Sequence, residues 1–348
     1  MYVLDRWMRR MVAAVALACL MNAGRIDVLH AEPLSGGGRW ESYAVVDALF
    51  MQRDNTTNPV ALVLDGDTLA TAIGTPDLQF PTAPGIRALV GRHGPDDVGW
   101  EFGYLGVYGL FADAAATGNA NLEIAPPLSS SIAGLRGASA ARATYASVLN
   151  SAEANVLFTD RCHHRPRLSG YALECQPCTF TVDWLAGFRW AGLDEQAALA
   201  FGESPTSLAT GYAVRTSSNL FGGQLGVRGR IEWDRWALEG QGKAALAGVA
   251  LSQSQAPVVD AFSGERYRSA RGASAADVGG IFDWNVAVVR RIDDVWAIRA
   301  GYTMLWLTGV ALAPDQFEFS TDTLAGTTVV GEKTVWLQGA TLGLEARW

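Results

Sequence analysis

The feature that most constrains this chain is a repeated two-residue alternation in which one face of each stretch carries the tryptophans and most of the large apolar side chains. Successive residues of a strand point to opposite sides of its sheet, so the pattern describes strands with an apolar phase on one side only. Between 295 and 307, Trp296, Ile298, Ala300, Tyr302, Met304 and Trp306 share one face, and Arg299, Gly301 and Thr303 the other. Between 235 and 249, Trp236, Leu238, Ala244 and Leu246 oppose Glu239, Gln241 and Lys243. Between 220 and 233, Phe221, Leu225, Val227, Ile231 and Trp233 oppose Gln224, Arg228, Arg230 and Glu232. Trp100, Phe102, Tyr104 and Tyr108 oppose Glu101 in the same way. Ten such stretches are predicted, near 40–51, 85–92, 98–110, 146–158, 181–191, 220–233, 235–249, 281–290, 295–307 and 334–348.

The connections alternate in length. Short ones fall at Gly94-Pro95-Asp96-Asp97, around Asp234 and at Ile292-Asp293-Asp294; long ones cover roughly 52–84, 111–145, 192–219, 250–280 and 308–333. Short turns on one side and long loops on the other are the habit of outer-membrane barrels. The segment 159–180 is overlong for its side, and 193–201 fits either an extension of the fifth strand or a further hairpin, so ten strands is a count good to about two. Trp40, Trp100, Trp233, Trp236, Trp296 and Trp348 lie beside the short-turn or terminal ends, and Trp190 and Trp336 toward the long-loop ends. Two aromatic levels match the two interfaces of a membrane, where an indole is apolar in body and wet at its N–H.

Composition agrees. Hydrophobic residues make up 49% of the chain and charged residues 18%, yet no run after residue 30 approaches the ~20 apolar residues of a membrane helix. Alternating strands spread hydrophobicity in that thin way. The expectation is an all-β chain, a transmembrane antiparallel up-and-down β-barrel over residues 32–348. The alternative is a secreted soluble β-sandwich that acts as a binding protein. A net charge of −8 argues against a nucleic-acid partner, because phosphate binding needs a basic face.

Residues 1–31 read as a cleaved signal peptide: Arg6, Arg9 and Arg10, an apolar stretch from Met11 to Met21, and a small residue, Ala31. At the other end Leu344, Ala346 and the terminal Trp348 alternate with Glu345 and Arg347. That ending resembles the signal read by the outer-membrane assembly machinery, which is expected as a partner along with outer-membrane lipid.

By parity the inward face carries Glu41, Asp47, Glu101, Glu153, Asp183, Glu232, Glu239, Asp283 and Glu345 against Arg87, Arg189, Arg228, Arg230, Lys243, Arg299 and Arg347. Of these, Glu101, Asp183, Arg189, Arg228, Arg230, Glu239, Lys243 and Arg299, with Gln224, are the candidate lumen-lining set. Two readings stand: a charged conduit for small solutes or ions, or an ion-paired filling that closes the barrel. About eight strands are just filled by side chains and about sixteen leave a channel, so ten favour a narrow or closed lumen. Cys162-His163-His164 and Cys175-Gln176-Pro177-Cys178 fit a disulfide in an oxidising compartment or, less well, four zinc-type ligands. No cofactor is expected. Neither a nucleophile elbow nor a phosphate-cradling glycine loop is present, so no enzymatic activity is expected.

Several strings resemble one family: VDWLAGFR at 182–189 leading to Leu193-Asp194-Glu195, FGGQLGVRG at 221–229, WALEGQGKAALAG at 236–248, and the pair IRAGY at 298–302 with Leu305-Trp306. Together they resemble the outer-membrane β-barrel porins of type seven, over roughly residues 85 to 310. The resemblance implies location in the cell outer membrane and a porin-like barrel. It brings no substrate and no catalytic residues. The functional expectation is a narrow channel for small solutes or ions, against a closed structural or adhesive surface barrel.

Overall fold

The computed structural model describes residues 41–94, 96–130, 133–162, 179–259, 264 and 266–348. The signal peptide therefore lies outside the described residues, as do His163, His164, Cys175 and Cys178; Cys162 is described only as the last backbone position of a strand. Ten long strands form the wall: β1 (Glu41–Arg53), β2 (Ala83–His93), β3 (Val98–Ile124), β4 (Ala138–Cys162), β5 (Thr179–Gly202), β6 (Leu208–Trp233), β7 (Trp236–Gln255), β8 (Arg271–Arg291), β9 (Trp296–Val310) and β10 (Lys333–Arg347). Each is antiparallel to its neighbours in sequence order. β10 returns to β1 in the register Tyr43↔Arg347 to Arg53↔Leu337, and closure removes the sheet edges. Trp348 completes the seam: its N–H and carbonyl both bond Ser42 at 2.9 Å.

All ten strands fall where the alternation predicts, but six are far longer. β3 to β8 run 20 to 27 residues, whereas a tilted strand crosses a bilayer in about 9–11. Much of 111–145, 192–219 and 250–280, read above as loop, is wall instead. Residues 193–201 extend β5 rather than making another hairpin.

The reason is that the alternation continues with its polarity reversed. In the half nearest the short turns, Phe180, Trp184, Phe188, Leu225, Val227, Trp284, Val286 and Ile298 point out and are exposed. Past that band Leu193, Ala197, Leu199, Phe201, Tyr212, Val214, Val249 and Leu251 point in and are buried. Asp194, Arg215, Ser252 and Ser254 point out there. The lower wall faces lipid and the upper wall faces water. Trp190 marks the change, its indole N–H donating to Asn219 Oδ1 at 3.2 Å on the outer surface.

Three segments fold into the upper barrel. The first carries a small hairpin, Ala61–Asp65 with Thr71–Gly74, that pairs onto the end of β3 and brings Leu62, Val63, Ile73, Leu78 and Phe80 inside. The second, between β3 and β4, adds Leu128 and Leu135. The third, between β9 and β10, inserts Val310 to Ala313 with Phe317 and Phe319 against them. These join the inward wall residues in one apolar core.

Candidate functional site

The lower interior is a lattice of buried charge. All nine candidate lumen residues are there and buried: Glu101, Asp183, Arg189, Gln224, Arg228, Arg230, Glu239, Lys243 and Arg299. Period 2 on several different strands puts them on the inside, and closure brings together residues distant in sequence. Arg299 bridges three carboxylates, Asp47 at 3.2 Å, Glu239 at 3.0 Å and Glu345 at 3.1 Å. Arg230 holds Glu232 at 2.6 Å, Glu345 at 2.8 Å and Glu239 at 3.1 Å. Arg87 meets Asp47 Oδ2 through Nε at 2.9 Å and Nη2 at 2.5 Å. Arg228 pairs with Glu101 and lies 3.9 Å from Asp183. Lys243 pairs with Glu153 and stands 3.5 Å from Glu101. Arg189 reaches Asp283 at 3.0 Å.

Neutral groups complete it. Tyr43 donates its hydroxyl to Glu101 at 2.7 Å and accepts from Arg228 at 3.1 Å. The Gln224 amide donates to Glu153 and Asn155, each at 2.8 Å. Two glycines make room: a Cβ on Gly343 would collide with Asp47 Oδ1, and one on Gly103 would stand 2.7 Å from Glu153 Oε1. At the short-turn rim Arg347 and Arg291 extend the lattice to Glu41, Glu345 and Glu232.

Charges withdrawn from water are tolerated only when paired, and here each has a counter-charge, although Asp47 Oδ1, Glu101 Oε1 and the Nε of Arg228 and Arg299 lack a hydrogen bond of their own. At the short-turn end a cavity between Arg230, Trp296, Glu345 and Arg347 has a volume of about 30 Å³. The cavity between Arg87, Glu153, Arg189, Lys243 and Asp283 has a volume of about 10 Å³, room for about one water.

Above the lattice, one further ion pair sits inside the apolar core. Arg53 meets Glu195 at 2.6 Å with both side chains fully buried. Tyr145 donates to Glu195 at 2.9 Å and accepts from Arg53 at 2.8 Å, and the Arg53 guanidinium lies 4.8 Å from the centre of the Phe80 ring. The Ala313 N–H also donates to Glu195, at 2.9 Å. One pair thus ties three strands to the first and third inserted segments. Sequence reasoning missed Arg53 and Glu195, which fall outside the predicted strands. The signal that finds Glu195 is the reversed alternation itself, Leu193, Glu195, Ala197, Leu199 and Phe201 on one face.

The loop carboxylates bond within their own loops or to a neighbouring segment. Asp65 caps the N–H groups of Asp67 and Thr68 at 2.9 and 3.0 Å, and Asp322 that of Leu324 at 3.0 Å. These backbone bonds hold both carboxyls below the usual carboxylate range. Asp315 accepts from the Asn58 N–H at 2.9 Å and stands 3.5 Å from Lys333, yet burial raises its pKa. At the end of the chain, Leu344 and Trp348 are exposed on the outer face, while Ala346 is covered by its neighbours.

A closed barrel with a lipid-facing apolar belt and a polar interior defines a transmembrane β-barrel of the outer-membrane type. The model of the family Putative beta barrel porin-7 matches residues 52–348, and the chain belongs to that family, in the outer membrane. Among solved structures, the outer membrane protease OmpT from Escherichia coli aligns over 92% of this chain and 99% of its own, at 10% identity and a TM-score of 0.46. A major outer membrane protein from Thermus thermophilus aligns over 88% and 99%, at 13% identity and a TM-score of 0.32. A FadL homologue from Pseudomonas aeruginosa aligns over 89% and 90%, at 8% identity and a TM-score of 0.24. No curated protein matches the chain.

Proposed function

We propose that this protein is a sealed outer-membrane barrel, a rigid surface scaffold that lifts a water-facing cylinder above the bilayer and carries no standing current of solute. The observation behind this reading is that the interior is filled twice over. The lower half is filled by the ion-paired lattice around Arg228, Arg299 and Glu239, and the upper half by the apolar core that includes the three inserted segments. A solute would have to break several buried ion pairs and displace folded chain. No catalytic role forms part of the reading. Outward-facing Leu344 and Trp348 at the seam suit a role as the signal for barrel assembly.

The family description favours a second reading, a narrow channel for small solutes or ions, with the charged lower interior as its path. Conductance in planar bilayers separates the two. The refolded wild-type barrel is expected to give no discrete steps, and the Arg228→Ala/Arg230→Ala variant steps or leak if the lattice is the seal. Regular steps from the wild type, altered by that double substitution, would replace the sealed reading with the channel.

A further inference from the structure

The lipid-facing wall of β6 and β7 has a hollow that packing within the chain does not account for. There Gly229 lies opposite Gly240, Val227 opposite Gly242, and Leu225 opposite Ala244. Gly103 and Gly343 are small because a Cβ would strike the lattice, but these glycines face open space. A Cβ on Gly240 would meet no described residue within 4 Å, and one on Gly229 or Gly242 would meet only the edge of Phe180 at 3.8 Å or of Trp284 at 3.9 Å. Glycine weakens a strand interior and often marks a surface that a ligand or another chain approaches closely. The small residues form the floor of a groove along the strands, and Trp284, Val286 and Val288 of β8 stand out from the wall as its bank.

A cation stands at the foot of this groove. Arg290 points outward between Trp236 and Ile298, with its guanidinium 5.3 Å from the centre of the Trp236 ring. It is the one charged side chain on the lipid face of β6 to β9 in the lower half, and among the described residues it meets no carboxylate. Stacking on an indole steadies a guanidinium and leaves its N–H groups able to take two oxygens of one phosphate. The exposed rings of Trp233, Trp236 and Trp296 put Arg290 at the membrane interface, where headgroups begin. From Arg290 up to Trp284, the neighbour of Gly242, is about 20 Å of strand at ~3.3 Å per residue. At a tilt of about 45° that is about 14 Å of depth, close to half of the ~30 Å hydrocarbon core.

We propose that Arg290 and the groove form a binding site for one anionic glycerophospholipid of the periplasmic leaflet. Its phosphodiester lies against Arg290 and one acyl chain lies along Gly240 and Gly242. This face is inside the bilayer, so lipid covers it; the cation, with no counter-charge in the described chain, selects a headgroup of net negative charge. The groove is as long as one leaflet is deep, and the short turns put its charged end on the periplasmic side. The lumen takes no part, so the site is the same whether or not the barrel conducts.

The test is native mass spectrometry of the full chain refolded in detergent, with phosphatidylglycerol and phosphatidylcholine of the same acyl chains as probes. Wild type is expected to retain one phosphatidylglycerol roughly tenfold more readily than phosphatidylcholine, as one hydrogen-bonded charge would give. Arg290→Gln removes the charge and should bring the two lipids level. Gly240→Leu/Gly242→Leu fills the groove without touching Arg290 and should lower retention of both lipids by about threefold or more. The open space over both glycines lets that variant fold, which heat-dependent gel migration checks; Gly240→Leu alone takes its place if the pair does not fold. Equal retention of the two lipids by wild type, a preference that survives Arg290→Gln, or a filled groove that holds lipid as well as the open one overturns the proposal. A wild-type dimer that the glycine substitutions abolish overturns it too, because the occupant would then be a second copy of the chain.

Discussion

Along β5 the side chains pointing into the barrel change from Asp183 and Arg189 to Leu193, Leu199 and Phe201. Those pointing out change from Trp184 and Phe188 to Asp194, Gln196 and Ala198. The backbone does not change. It keeps an unbroken ladder to β6 across both halves, with one register shift only at Phe201/Gly202. The lower half has lipid outside and can bury its polar residues only inward, where they must neutralise one another. The upper half has water outside and can gain from the hydrophobic effect only by filling its centre with apolar side chains. One barrel therefore holds two interiors of opposite kind, because the solvent beyond the wall decides which face of a strand is the inside of the protein.

That contrast can be attacked from both ends. The largest effect is expected from Arg299→Leu, which takes one cation away from each of Asp47, Glu239 and Glu345 and leaves Arg87 and Arg230 to balance them. Breaking one side of a buried pair costs about 3–5 kcal/mol, read as a loss of stability in denaturant titrations of the detergent-folded barrel. A change below about 1 kcal/mol would mean the lattice is hydrated rather than sealed. In the upper core, Leu199→Ala should cost about 2–5 kcal/mol by the cavity it leaves, and near-neutrality there would place the upper interior in water.

The outer surface offers a sharper comparison. Leu225, 70% exposed on the lipid face, should lose about 2–4 kcal/mol as Leu225→Arg. Ser252→Arg, farther up the outer wall, should stay within about 0.5 kcal/mol. Equal costs at both positions would move the edge of the bilayer. The smallest effect concerns Asp315, whose pKa burial raises. A carboxyl with a raised folded-state pKa is tolerated best when protonated, so its favourable share is present in acid and lost as pH rises through that pKa. Asp315→Asn should therefore melt higher than wild type at neutral pH and level with it in acid, and the opposite trend would give the Lys333 ion pair the larger say.

The lower half was legible in the sequence residue by residue. Arg228, Arg230, Glu239, Lys243 and Arg299 followed from parity against Trp233, Trp236 and Trp296, because one face of a strand in lipid has to be apolar. In the upper half, 193–201 fits either an extension of the fifth strand or a further hairpin, and the rest of 192–219 reads as loop, because Leu193, Leu199, Tyr212 and Val214 alternate with residues that are merely small or polar. Without tryptophan or a strong charge contrast that alternation is faint, and its reversed sign gives no hint of membrane strand.

What the sequence determined by itself is where the strands of the lower half run, to within about two in their number, and which face of each meets lipid, since both are local properties with a period of two. What only the tertiary structure decided is that the barrel is filled. Arg53 finds Glu195, and the backbone of Ala311 to Thr328 finds Glu195, Gln253 and Gln255, only after ten strands have closed and the loops have folded inward. Those partners lie on different strands, and no local periodicity records which residues a closing barrel will bring face to face.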